Sequence, residues 1–195
     1  MEKVDVTQVM VEEHRLILRM IALLERNVER MEQGRFRNWQ FFLDAVDFIR
    51  NYADRFHHAK EEDVLFESLV NNGMPKENSP VAAMLMTHDQ GRSLVRAMEE
   101  AALKAQAGEA GQIPVIAENA RGYAELLRDH IDKEDNILYP LAERVLPAEV
   151  RPEMIQAYRD AEARDPDIES RHRRMVEEYE KTECGLTPAR TDKNV

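Results

Sequence analysis

The chain has 195 residues, of which 33% are charged and 43% hydrophobic, and its formal net charge is -11 at pH 7. That length supports one domain with a sizeable core, and the acidic balance argues against nucleic-acid binding, which needs a basic surface. Cys184 is the single cysteine, which excludes an internal disulfide framework and a cysteine-rich zinc site. The first residues lack a signal-peptide pattern, and no uncharged stretch approaches the roughly 20 residues that cross a bilayer. The sequence therefore predicts a cytoplasmic protein without membrane contact.

The first helical pattern runs from about Asp5 to Met31, with apolar residues recurring at three- and four-residue steps. Thr7 could cap or begin this helix. His14 lies in the middle of the apolar stripe. An isolated histidine there would usually be a hydrogen-bonded core residue, so its meaning depends on what the other helices supply.

A second helix is predicted from about Asn38 to Asn71. Residues four apart lie on one helix face, so His57 and Glu61 point the same way. His58 is about 100° round from His57 and is predicted to lie at the surface or on the shoulder of the helix. The inward stripe is Phe42, Val46, Ile49, Ala53, His57, Glu61 and Val64.

Ser79 followed by Pro80 predicts the cap and first residue of a third helix, which reaches about Ala107. Gly91 near its inner face could serve close helix packing or leave space for a small molecule, and the sequence leaves both readings open. The inward stripe is Met84, Leu85, His88, Val95, Met98 and Ala102.

A fourth helix is predicted to begin at Pro114, and it repeats part of the second. HIDKEDNILYP, from His130, matches HHAKEEDVLF, from His57, so that Glu134 corresponds to Glu61. Tyr123 could line the same cavity as His130 or be a core tyrosine. The inward stripe is Ile116, Ala120, Tyr123, Leu127, His130, Glu134, Ile137 and Leu141.

A more polar helical pattern follows from Glu149 to about Glu180, divided near Pro166. Its Glu-x-x-His, Glu169 and His172, has the spacing of di-iron ligands but occurs once, and we interpret it as chance. The predicted divisions are a bundle over residues 1–146, a helical extension over 147–181 and a disordered tail over 182–195.

These patterns predict an all-α protein, an up-down-up-down four-helix bundle with an additional C-terminal helical segment. Six polar groups inside its apolar core would be costly without partners. A metal centre accounts for all six, and four imidazoles with two carboxylates suit two first-row ions, whereas one zinc site would use only four ligands. The predicted ligands are His14, His57, Glu61, His88, His130 and Glu134.

The sequence resembles the hemerythrin-like (His-His-Glu cation-binding) domains. VEEHRLI around His14, HHAKEEDVLF, THDQGR around His88 and HIDKEDNILYP carry this likeness over about residues 4–146. The resemblance implies that the six predicted ligands hold two iron ions with oxo or hydroxo and carboxylate bridges. Manganese and zinc are secondary expectations.

Two positions depart from the oxygen-carrying members, which have a further histidine on the third helix where this sequence has Arg92. Their last carboxylate is an aspartate, at the place of Asp135, whereas Glu134 is the ligand predicted here. The set is similar to that of members that respond to nitric oxide or repair iron-sulfur clusters. Three hypotheses therefore remain open. The first is binding or sensing of O2 or NO. The second is an enzyme that consumes peroxide or NO, or an iron donor in cluster repair. The third is a bundle in which the metal is structural or in which the added C-terminal helix serves a partner. Enzymatic activity and any protein partner are left undetermined.

Overall fold

The computed structural model describes residues 4–185, and all regular secondary structure in that range is helical. Four long helices come first and two shorter ones follow. They are α1 (Gln8–Glu32), α2 (residues 39–71), α3 (Pro80–Gln106), α4 (residues 112–145), α5 (Arg151–Glu162) and α6 (Ile168–Gly185). The rest of the predicted tail, residues 186–195, lies outside the described part of the chain.

Helices α2 and α4 contain stretches of π-helix, in which each N–H bonds the carbonyl five residues back. In α2 these are Ile49–His58 and Glu61–Phe66, between the α-helical ends Trp39–Phe48 and Glu67–Asn71. In α4, Glu134–Leu138 separates the α-helical Gln112–Lys133 from Tyr139–Val145. Such turns are rare and occur frequently at functional sites.

The π-helical turns displace the inward stripe by one residue from its predicted register. The prediction that Ile137 faces the core is wrong, because its side chain is 59% exposed while Leu138 is 1% exposed. On α2, Leu65 is fully buried in place of the predicted Val64, which is half-buried. On α3, the predicted Leu85 is also exposed.

The ends of α1 and α3 show how the sequence begins a helix. Ser79 caps α3, since its hydroxyl accepts a hydrogen bond from the Ala82 N–H at 3.2 Å, and Pro80 is the first helical residue as predicted. Thr7 precedes α1 but makes no side-chain cap bond. The carboxylate of Asp5 instead accepts the N–H groups of Thr7 and Gln8.

Each long helix contacts the next in the order α1, α2, α3, α4, and α4 returns to α1. Their apolar side chains form two separate clusters. Along α1, Met10 belongs to one cluster and Ile17 to the other, and His14 lies between them. A polar layer therefore crosses the bundle between two apolar cores.

The two C-terminal helices pack against the long ones. Helix α5 contacts the Glu61–Phe66 segment, and α6 contacts α1 and the Ile49–His58 segment. Met154 and Tyr158 of α5 join one apolar cluster, while Ile168 and Val176 of α6 join the other. Within residues 4–185, no helix combines the length and the apolar character that a bilayer crossing requires.

Candidate metal centre

The polar layer contains two groups of four buried side chains, and in each group the ligand atoms lie within 4.8 Å of one another. Glu61 belongs to both groups, so one carboxylate could join two metal ions. All members are at most 6% exposed. The first group is His14, His57, Glu61 and Glu134, and the second is His58, Glu61, His88 and His130.

The imidazoles face each other through their Nε2 atoms. The distance between the Nε2 atoms of His14 and His57 is 3.0 Å, and that between His88 and His130 is 3.1 Å. Glu134 lies between the groups, 3.3 Å from His14 Nε2 and 3.0 Å from His130 Nε2. The Nε2 lone pairs and carboxylate oxygens therefore converge on common points, as ligands of a cation must.

Carboxylates outside the centre fix which nitrogen of three imidazoles faces inward. Asp135 accepts the Nδ1–H of His14 at 2.8 Å, Glu13 accepts that of His57 at 2.8 Å, and Glu62 accepts that of His88 at 2.7 Å. Each leaves Nε2 free to bind a metal, the arrangement in which an outer carboxylate orients a metal-bound histidine.

In the absence of metal, a proton on His14 supplies part of the positive charge that a cation would bring to the centre. Burial alone lowers the pKa of His14, but Asp135 and Glu134 outweigh it and raise that pKa to about 9. Burial lowers the pKa of His57 well below its ordinary value, and the charge of His14 adds to this effect. A metal ion binding here would release the His14 proton, since histidine ligates in its neutral form.

The two carboxyl groups differ in their ease of ionisation. Burial raises the pKa of Glu61, and the nearby Glu134 carboxylate raises it further. Burial also opposes ionisation of Glu134, but His130 and His14 together hold its pKa well below the usual range. Glu61 Oε2 and both oxygens of Glu134 are buried and have no hydrogen-bond partner among the described residues. Cations between these oxygens and the imidazoles would satisfy all three, so the residues present fit metal ions.

A second layer of ion pairs holds the outer carboxylates. Lys60 is buried and pairs with Glu13 on one side and Glu162 of α5 on the other. On the opposite side, Arg92 binds Glu62 and Asp54, with 2.7 Å between nitrogen and oxygen in each pair. Arg92 thus positions Glu62, the carboxylate that orients His88. Arg92 itself belongs to neither group of ligands.

All six side chains predicted from the sequence are brought into the two groups. The structure adds His58, and the prediction that His58 lies at the surface or shoulder is wrong, because its side chain is 6% exposed. Residues 49–58 are π-helical, with more residues per turn, so the angle between His57 and His58 is smaller than in an α-helix and both face inward. Nothing in the periodicity of the sequence marks these π-helical turns.

Two other candidates from the sequence have different surroundings. His172 is buried, its Nδ1–H donates to the carbonyl of Ile168 at 2.8 Å, and its Nε2 lies 3.4 Å from Asp47. With Glu169, it is absent from the groups of described residues that could hold a metal. Tyr123 is buried beside a cavity that His58 and His88 also line.

A helical bundle with buried groups of histidine and glutamate side chains is typical of helical metal-binding domains. The sequence model of the Hemerythrin HHE cation binding domain matches residues 5–142, and the chain belongs to that family.

The curated relatives that match the chain share a low sequence identity with it. The chain is 22% identical over 153 residues to uncharacterized protein Mb2018 of Mycobacterium bovis and to uncharacterized proteins MT2051 and Rv1995 of Mycobacterium tuberculosis. The match covers 78% of this chain and 59% of each relative. No solved structure matches the chain significantly.

Proposed function

We propose that this protein is a non-heme di-iron hemerythrin-like protein, which binds or senses O2 or NO at a carboxylate-bridged centre. The four long helices would form an up-down-up-down bundle, since each contacts the next in a closed ring. Five imidazoles and two carboxylates favour iron among the first-row metals. Two iron ions would supply an open coordination position and reversible one-electron redox chemistry.

The observation that carries the proposal is Glu61, which is shared by both groups. Its Oε2 lies 3.7 Å from His57 Nε2 in one group and 3.7 Å from His88 Nε2 in the other. A carboxylate between two sets of imidazoles is suited to bridging two ions and poorly suited to one closed site.

Metal analysis tests this directly. The iron-loaded protein should contain about two iron per chain, one for each group of ligands. Glu61→Ala should remove iron from both groups, whereas Asp63→Ala, an exposed acid on the same helical segment, should keep it. Full iron content in Glu61→Ala would contradict the shared carboxylate. Binding of O2 predicts an absorption band that appears on oxygenation of the reduced protein and is reversed by degassing.

The position of Tyr139 favours a second candidate function, that of an oxidoreductase that consumes peroxide or NO. Its hydroxyl donates to Glu61 Oε1 at 2.5 Å and lies 3.4 Å from His14 Nε2. Burial raises the pKa of Tyr139 well above its ordinary value, and the Glu134 and Glu61 carboxylates raise it further, so the phenol keeps its proton beside the centre. A positioned proton donor of this kind is typical of general acid catalysis.

Peroxide turnover by the iron-loaded protein separates the two candidates, and Tyr139→Phe tests the proton donor, because it removes the proton and keeps the ring. An oxidoreductase should lose about 100-fold in the rate of peroxide consumption at unchanged iron content, the lower end of what a general acid contributes. Tyr158→Phe, which removes another buried hydroxyl, is the matched control. Equal turnover of Tyr139→Phe and the unmodified protein would contradict the role of Tyr139 as the proton donor. Absence of turnover in the unmodified protein would contradict the oxidoreductase and leave the binding protein.

A further inference from the structure

Helix α5 follows the part of the chain that matches the family model, which ends at residue 142, and it nevertheless contacts the surroundings of the metal centre. Its last residue is Glu162, whose carboxylate lies 3.2 Å from the ammonium of Lys60. Lys60 directly precedes Glu61, the carboxylate shared by both ligand groups. A helix outside the matched domain therefore contributes a charged group beside the residues that could hold metal.

The ammonium of Lys60 is enclosed, since the side chain is 0% exposed. A lysine is almost never fully buried unless its charge is paired. Glu13 of α1 supplies one carboxylate partner and Glu162 of α5 supplies the other. The ammonium also lies over the ring of Phe56, 3.8 Å from the ring centroid. One buried and one half-exposed carboxylate therefore share a single buried positive charge.

Glu13 connects this charge to the first ligand group. One oxygen of Glu13 accepts a hydrogen bond from Lys60 Nζ, and the other accepts the Nδ1–H of His57 at 2.8 Å. The Nε2 atom of His57 faces the centre. A continuous line of polar contacts therefore runs from a half-exposed carboxylate on α5 to a candidate metal ligand, and its members are Glu162, Lys60, Glu13 and His57.

Contacts along α5 fix the position of Glu162. At the start of the helix, the buried guanidinium of Arg151 donates to the carbonyl of Glu143 at 2.8 Å. Met154 and Tyr158 are buried in the apolar cluster on that side of the polar layer. The helix thus holds the Glu162 carboxylate in place against the bundle, as a group that tunes a metal centre requires.

We propose that Glu162 and Lys60 are positioning residues of the metal centre, through which α5 sets the affinity of the first ligand group for its cation. Lys60 holds Glu13 against His57, but its positive charge opposes a cation at His57 Nε2. Glu162 balances part of that charge and so favours metal binding. The effect on iron redox chemistry rests on the proposed di-iron function, whereas the effect on affinity applies to any divalent cation that the centre binds.

Competition with a chelator of known zinc affinity tests the proposal without redox chemistry. Glu162→Gln keeps the shape of the side chain and removes its charge. The zinc affinity of the full-length protein should then fall about three- to tenfold, less than the roughly 10- to 100-fold typical of a direct outer partner of a ligand. Asp160→Asn removes one charge from an exposed acid of the same helix, and this matched control should leave the zinc affinity unchanged.

Lys60→Met tests whether Glu162 acts through Lys60, because it removes the ammonium and keeps an unbranched side chain. In this background, Glu162→Gln should have no further effect on zinc affinity, which a double-mutant cycle measures. A carboxylate that acted on the metal independently of Lys60 would keep its effect. An equal loss of affinity with and without Lys60 therefore overturns the proposal.

The midpoint potential of the iron-loaded protein distinguishes an effect of charge from a loosened helix. The oxidised centre carries more positive charge, so loss of the negative charge of Glu162 should shift the potential upward, while Asp160→Asn should not. This measurement does not require Lys60→Met to fold. An unchanged or lower potential in Glu162→Gln contradicts the proposal.

The two metals separate this proposal from the di-iron function. Unmodified protein that binds zinc but loads no iron contradicts the di-iron function, and the predicted differences in zinc affinity still test the role of α5. Equal zinc affinity of Glu162→Gln and the unmodified protein overturns the role of α5, whether or not the protein loads iron.

Discussion

At the scale of single residues, the orientation of each imidazole determines what the centre can hold. His14, His57 and His88 have Nδ1 bound to a carboxylate, which directs Nε2 to the interior. His58 is held differently, with its Nδ1 3.4 Å from Asp54 Oδ1 and its ring stacked on His88. It supplies a fifth imidazole from α2, whereas the third helix has Arg92 one turn beyond His88.

His58→Ala should therefore lower the metal content of the second group. Loss of an outer partner of a ligand costs about 10- to 100-fold in metal affinity, and loss of a ligand should cost more. Iron per chain, measured after dialysis, should fall towards about one, because the first group keeps its four members. His172→Ala, which removes another buried imidazole, should retain the metal. Unchanged iron in His58→Ala would show that His58 packs beside the centre without binding.

At the scale of helices, periodicity predicted which segments are helical, and all six predicted ligands are buried together. It could not predict the π-helical turns, because they arise from backbone hydrogen bonds that side-chain spacing does not encode. An apolar stripe drawn at 3.6 residues per turn is correct as far as Glu61 and Glu134 and wrong by one residue within the π-helical segments that begin there. That displacement explains why Leu65 and Leu138 are buried, whereas His58 is buried beside His57 because successive residues of a π-helix are separated by a smaller angle.

Leu138 and Ile137 provide a test of this register in α4. Leu138→Ala should lower the free energy of unfolding by about 2–5 kcal/mol, since it removes a buried side chain from a packed cluster. Ile137→Ala should change it by about 0.5 kcal/mol or less, as for most surface substitutions. Chemical denaturation of both variants measures the difference. A larger loss of unfolding free energy for Ile137→Ala than for Leu138→Ala would indicate that α4 keeps an uninterrupted α-helical register.

At the scale of the whole molecule, the polar layer joins all four long helices between two apolar cores. Metal bound there would connect residues far apart in sequence, such as His14 on α1 and Glu134 on α4. Without metal, buried carboxylates and imidazoles rely on one another and on protons, and buried polar groups without full partners are costly. We therefore expect the free energy of unfolding to be higher with metal bound than without it.

Removal of bound metal by a chelator should lower the melting temperature. A ligand present at about 1,000 times its Kd stabilises the folded state by about 4 kcal/mol, which for a chain of this size corresponds to a shift of about 10 °C. The shift should shrink as the pH falls below about 9, because the His14 imidazole, whose pKa is raised to about 9 by Asp135 and Glu134, then holds a proton that the metal must displace. Calorimetric melting of metal-loaded and chelated samples from pH 8 to pH 5 measures both effects. His130→Ala, which lacks a member of the second group, should show a smaller shift, and equal melting temperatures with and without metal at pH 8 would exclude a stabilising centre.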